Sequence, residues 1–164
     1  MNQATLMETL RGIDFLHGTS REHLEQIAAV SELRDYSQSE VVFREGEIAD
    51  SAYLVVSGTL SLELSPSTLY RKCLVTVGPG EMLGWSSLVE HSRFAATAVV
   101  AAPATLVRID GTSLRVICNN DPQFGYEFMR RTMLALAKRL TVTWTQLSRL
   151  YVSQYLPVTA SSDE

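Results

Sequence analysis

The sequence predicts a mainly β fold: a jelly-roll (double-stranded β-helix) with flanking helices, continued by one long carboxy-terminal helix. Two patterns and the length lead there. Between Leu33 and Asp110, short apolar runs are separated by glycine-bearing turns at regular spacing, the pattern of a sandwich or roll. After Asp121-Pro122 neither proline nor a turn cluster interrupts the chain until about Tyr155, room for a helix of roughly 33 residues and about 50 Å. The 164 residues suffice for one domain with an appendage and not for two full domains.

Residues 1–18 read as an N-terminal helical segment, with a short helix expected over 4–11. A stronger start signal follows. Thr19-Ser20-Arg21-Glu22 has the T-x-x-E form of a capping box, and Leu24, Ile27, Ala28 and Val30 give the ensuing helix its apolar face. The roll is expected over 19–120. Its strands are VVF (41–43), SAYLVVSG (51–58), TLSLEL (59–64), KCLVTV (72–77), AATAVVA (95–101) and TLVRID (105–110). TLSLEL alternates strictly, as a half-buried strand does. Gly46, Gly58, Gly78, Gly80 and Gly84 stand at the joints. Gly111-Thr112-Ser113 leads into a short helix over LRVICNN. Asp121 then supplies an N-cap, and Pro122 the first helical position, of a long helix over 121–155. Beyond it, 156–164 reads as a flexible acidic tail.

Within the long helix, Tyr126, Met129, Met133, Leu136, Leu140, Thr143, Leu147 and Leu150 recur at alternating steps of three and four, as in the seam of a coiled coil. A small roll cannot cover both ends of such a helix. Met129, Met133, Leu136, Leu140, Thr143, Leu147 and Leu150 are therefore expected to meet a second copy in a homodimer.

Composition narrows the function. A net charge of −4 is a poor footprint for a nucleic-acid binder, so no direct nucleic-acid contact is expected. Cys73 and Cys118 lie in apolar contexts and are expected as buried free thiols; two cysteines cannot build a tetra-cysteine zinc site. His17, His23 and His91 are isolated, with no H-x-H pair. No metal centre and no catalytic set is expected, and the chain reads as a non-enzyme. The amino terminus lacks the basic-then-apolar order of a signal peptide, and AATAVVAAPATLV (95–107) is too short to span a bilayer. A cytoplasmic location without membrane contact is expected.

FREGEIADSAYLVVSGTLSLEL (43–64), GPGEMLGWSSLV (78–89) and AATAVVAAPATLVRID (95–110) resemble the cyclic-nucleotide-binding domain family, over nearly all of 19–155. The spacing F-x-x-G-E-x-A-D-x-x-Y-x-x-x-S-G is the most specific part. KRLTVT (138–143) is similar to the mid-helix stretch that closes over the ligand in catabolite-activator members of the family. The resemblance implies an N-terminal helix, an eight-stranded roll, a long carboxy-terminal helix and a regulatory role. It also implies a phosphate cassette. There a glycine precedes a glutamate that accepts from the ribose 2′-hydroxyl, a short helix start offers backbone N–H groups, and an arginine before an A-[AT] pair binds the cyclic phosphate.

Aligned on Ala95-Ala96-Thr97, this chain carries Trp85 at the glutamate position and Phe94 at the arginine position. Arg93 stands one residue early, where strand alternation turns it to the other face unless a bulge restores it. The cassette candidates for ligand contact are Gly84, Trp85, Ser86, Ser87, Arg93, Phe94, Ala95, Ala96 and Thr97. The long helix adds Arg139, Thr143 and Trp144. Alternatives stand for several of them. Ser86 and Ser87 either offer N–H groups to a ligand or cap a short helix. Thr143 either faces a ligand or sets dimer register, and Arg139 either reaches a ligand or pairs with a carboxylate across the dimer. Each charge-assisted bond from guanidinium to phosphate contributes about 1.5–3 kcal/mol. Losing both family side chains thus removes orders of magnitude of affinity, at about 1.4 kcal/mol per tenfold.

Two functions follow. One is a stand-alone regulatory module with weak or altered cyclic-nucleotide binding, its ligand a cyclic nucleotide or another small molecule, signalling through a dimer helix. The other is a ligandless dimeric adaptor that recruits a downstream protein. Residues 156–164 are too few for a helix-turn-helix, so a DNA-binding transcription factor is not expected.

Overall fold

The computed structural model describes the backbone of residues 3–67 and 70–155 and the side chains of residues 4–64 and 73–149. Its elements are α1 (Gln3–Arg11), a 3-10 turn (Asp14–Leu16), α2 (Arg21–Ala29), β1 (Ser31–Tyr36), β2 (Val41–Phe43), β3 (Ser51–Ser67), β4 (Tyr70–Val77), β5 (Met82–Leu83), a 3-10 turn (Trp85–Leu88), β6 (Thr97–Asp110), α3 (Gly111–Asn120) and α4 (Pro122–Tyr155). The strands run in the order β1-β6-β3-β4, with β2 on β6 and β5 on β3, all pairs antiparallel.

Six strands stand among the described residues where eight were expected, because two pairs are fused. SAYLVVSG and TLSLEL form one continuous β3; AATAVVA and TLVRID fall almost wholly in β6. The fusion is bent, not straight. Register between β3 and β6 slips repeatedly from Val55 to Leu60, and Gly58 sits there at φ 84. A Cβ on Gly58 would lie 2.3 Å from the Pro103 carbonyl oxygen and 2.5 Å from the Ala104 Cα. Glycine thus lets two backbones touch where the strands fold over each other.

Strand alternation then separates two cores. Ala52 and Leu54 of β3, with Val107 and Ile109 of β6, turn outward onto the helices and join Leu10, Ile27, Leu114 and Phe128. Tyr53, Val55 and Leu106 turn into the roll, beside Phe43, Val77, Leu83 and Phe94.

The caps follow the sequence with one shift. Ser20, not Thr19, is the N-cap of α2, its hydroxyl accepting from the His23 N–H at 3.2 Å. The Thr19 hydroxyl is used elsewhere, accepting from Arg131 at 3.1 Å. Asp110 caps α3 through the Ser113 N–H, which holds its carboxyl below the usual range. Asp121 caps α4 by accepting from the Gln123 and Phe124 N–H groups, and its other oxygen meets His23 Nε2 at 2.8 Å. These bonds, that from Phe124 foremost, likewise lower its pKa.

The expectation for the cysteines is corrected in one half. Cys118 is buried, and burial pushes its thiol up to about 11, but Cys73 is exposed. Leu62 pairs with Val75 and Glu63 with Cys73, so Leu74 is an extra residue in β4. That bulge reverses the alternation from Val77 and Val75 and turns Cys73 outward. Among the described residues no helix is long and apolar enough to cross a membrane. The expected tail, 156–164, lies outside the described residues.

Candidate ligand-binding cassette and interface helix

The cassette begins where β5 ends. Gly84 adopts a left-handed conformation, φ 73, and a Cβ there would lie 2.7 Å from the Ser51 carbonyl oxygen, with the Tyr53 and Phe94 rings close behind. The 3-10 turn that follows is closed by Ser87, whose N–H and hydroxyl both donate to the Gly84 carbonyl at 3.0 and 2.8 Å. Ser86 and Ser87 are buried, and the Ser87 hydroxyl is spent on its own turn.

The two cassette aromatics go to different places. Phe94 is 4% exposed and stacks on Phe43 inside the roll, ring centroids 3.9 Å apart at 15°. Tyr53 flanks Phe43 at 5.6 Å. Trp85 instead packs, half-buried, against the helix-side core. Arg93 is exposed and donates to the Gly46 carbonyl at 2.6 Å, while the Gly46 N–H donates to the Phe94 carbonyl at 2.9 Å. Phe94 thus turns inward and Arg93 outward, in the segment before β6, where Arg93 forms an isolated bridge with Ile48. Ala95 is exposed and Ala96 half-buried; Thr97 is buried, its hydroxyl accepting from the Glu45 N–H at 3.1 Å.

From α4, the Arg139 guanidinium donates to the Met82 carbonyl, two residues before Gly84. Burial lowers its pKa from the ordinary value, although Glu81 acts the other way. Its Nε has no hydrogen-bond partner among the described residues, and neither does the fully buried hydroxyl of Ser51. Thr143, one turn further, is half-buried and donates to the Arg139 carbonyl at 2.9 Å. Trp144 is 61% exposed. The structure thus gathers Gly84, Phe94 and Ser51, sets Arg139 beside β5, and leaves Arg93 and Trp144 in solvent.

Sequence reasoning missed Ser51 and Arg115. The strand period shared with Tyr53 and Val55 could have placed Ser51 on the inner face. Arg115 of α3 donates to the Ser87 carbonyl and to the Thr112 hydroxyl. No local pattern announces that bond.

On α4 the inward stripe is Phe124, Phe128 and Thr132, followed by half-buried Leu136, Arg139 and Thr143. Tyr126, Met129, Met133, Leu140 and Leu147 are exposed, Met133 by 64%. Leu136 and Thr143 leave this outer stripe, and Ala137 and Trp144 are the exposed residues at those levels. The offset follows from a straight helix, which drifts about 20° per heptad from a 3.5-residue repeat. The Leu150 side chain lies outside the described residues.

A bent antiparallel roll, a cassette joining two of its strands, and a long helix tied to that cassette define a regulatory ligand-binding domain. The family model for the cyclic nucleotide-binding domain matches residues 33–121, and the chain belongs to that family. It is 27% identical over 100 residues to the cyclic AMP receptor protein of Thermus thermophilus, a match covering 61% of this chain and 46% of that protein. The chain thus spans about half the length of that relative. It is also similar to a solved Geobacter metallireducens protein named as cyclic nucleotide-binding, with 30% identity and a TM-score of 0.71, over 81% of this chain and 96% of the other. The regulatory subunit of a cAMP-independent protein kinase A from Trypanosoma brucei shares the fold at 15% identity and TM-score 0.70, over 90% and 51% of the two chains.

Proposed function

We propose that this chain is a dimeric regulatory module whose cassette no longer holds a cyclic phosphate in the family's manner, so that it binds cyclic nucleotides weakly or takes an altered ligand. The observation that carries this reading is Phe94 stacked on Phe43 inside the roll, with Arg93 bound outside to Gly46. An apolar ring offers nothing to a phosphate that needs charge-assisted donors. The unpartnered Ser51 hydroxyl and Arg139 Nε favour an altered ligand over a ligandless adaptor, because buried polar groups without partners are costly.

The route to α4 is short. Arg115 ties the cassette to α3, and a Cβ on Gly111 would lie 2.8 Å from the Ser87 Cβ. A ligand that favours one cassette position by differential affinity would shift α3, and with it α4.

Thermal unfolding with millimolar cyclic AMP or cyclic GMP tests the site. The expected rise in Tm is below about 2 °C, because a ligand at 100 times its Kd adds about 2.7 kcal/mol, roughly 5–10 °C in a chain of this size. A rise of that larger size with either nucleotide would overturn the reading. The helix is tested separately by sedimentation. The wild type is expected to be a dimer, and Met133→Glu with Leu140→Glu a folded monomer, since two carboxylates would be buried in an apolar contact. A monomeric wild type would remove α4 as the interface.

A further inference from the structure

A groove of about 590 Å³ lies outside the roll, between α4 and a facing wall formed by the Asp14–Leu16 turn and the turn before β5. Its volume falls within the range of about 300–1,000 Å³ typical of small-molecule sites. On α4, Arg131, Leu134 and Lys138 follow at steps of three and four and share one flank. The facing wall supplies Asp14, Phe15, Glu81 and Met82. Leu134 is 56% exposed, an apolar side chain left open in the middle of this charged cleft.

Among the described residues no ion pair joins the lining charges of the two walls, although Glu81 acts electrostatically on Arg139 of α4. Arg131 donates only to neutral acceptors, the Phe15 carbonyl at 3.0 Å and the Thr19 hydroxyl at 3.1 Å. Glu81 accepts from the Gly78 N–H at 2.8 Å. The side chains of Lys138 and Asp14 have no partner among the described residues. Arg130 and His17 complete the rim, Arg130 already paired with Glu127 at 3.0 Å. Cations therefore stand on one side, carboxylates on the other, and Phe15, Met82 and Leu134 between them. A simple anion entering here would meet Asp14 and Glu81, and a simple cation would meet Arg131 and Lys138. A molecule carrying both charges on an apolar body satisfies every surface at once.

We propose that this groove binds an amphipathic zwitterion of the apolar amino-acid or dipeptide type, its carboxylate toward Lys138 and Arg131 and its ammonium toward Asp14 and Glu81. Bound there, it would bridge the N-terminal turn to α4. The groove lies outside the roll's interior, although Glu81 and Met82, at and before β5, line it.

The test is isothermal titration of the full chain with L-phenylalanine and with the dipeptide Leu-Phe, beside their N-acetyl and carboxamide forms, each lacking one charge. At least one zwitterion is expected to bind, and each singly charged form to bind more weakly by about tenfold or more, the loss expected for one charge-assisted contact. Asp14→Asn and Lys138→Met should each weaken the zwitterion by a similar factor while leaving the Tm of the free protein unchanged, because both side chains are exposed. The proposal is overturned if neither zwitterion binds, if the acetyl or amide forms bind equally well, or if both variants bind like the wild type. None of these outcomes depends on cyclic-nucleotide binding.

Discussion

Phe94→Ala is expected to lower stability by about 3–5 kcal/mol, the usual cost of emptying a buried phenylalanine site. The ring is 4% exposed, stacked on Phe43, and within 3.4 Å of where a Gly84 Cβ would stand. Little around it can collapse into the gap, because Phe43, Tyr53 and Leu83 are fixed by strands on both sides of the roll. Thermal or urea unfolding reads the change directly; in a domain of this size it corresponds to about 6–20 °C in Tm. A loss below about 1 kcal/mol would mean that Phe94 is not part of the packed interior, and the argument that it occupies the roll would go with it. Phe94→Leu, which retains most of the apolar volume, should recover much of the loss.

The second large effect concerns the fold and not the site. Gly58→Ala and Gly46→Ala make a matched pair, since both residues have nearly the same positive φ, 84 and 80. At Gly46 nothing lies within 4 Å of an added Cβ. Only the conformational cost remains there, of order 1–3 kcal/mol. At Gly58 the methyl would strike Pro103 and Ala104 backbone at 2.3 and 2.5 Å. Backbone cannot swing aside as a side chain can, so Gly58→Ala is expected to abolish the folded state or exceed the Gly46→Ala cost several-fold. Equal losses in the two variants, measured by chemical denaturation, would show that the strand crossing is looser than its geometry.

Local chemistry was the legible part. Asp121-Pro122 opened α4 where the dipeptide predicts, and the glycine-separated apolar runs became the strands of the roll. Features set by pairing were not legible. Continuous β3 and β6, and the bulge that exposes Cys73, depend on which residue faces which across the sheet. Thr19 and Ser20 are equally good N-caps by type, and Arg131 decides between them by engaging Thr19 from 112 positions away.

The candidate site divides in the same way. Phe94 and Arg93 face opposite ways as alternation predicts, although both precede β6 and Arg93 forms only an isolated bridge with Ile48. Trp85 could not be assigned to the helix-side core from its neighbours, because that depends on how the cassette turn docks. Contacts between the Arg115 guanidinium and Ser87, and between Arg139 and Met82, join residues 28 and 57 apart and leave no trace in either local sequence. Leu136 and Thr143 fit the heptad arithmetic, yet the drift of a straight helix carries them round toward the roll.

Gly125 sits so close to α3 that a Cβ would lie 2.5 Å from the Cys118 carbonyl oxygen. That contact makes a fulcrum near one end of α4, with the remaining helix as an unequal lever. From Gly125 to Tyr155 the arm is about 45 Å at the helical rise. A tilt of about 5° at the fulcrum would carry the far end through roughly 4 Å over such an arm, about three-quarters of a helical turn. At Phe128, three residues from Gly125, the same tilt amounts to only about 0.4 Å.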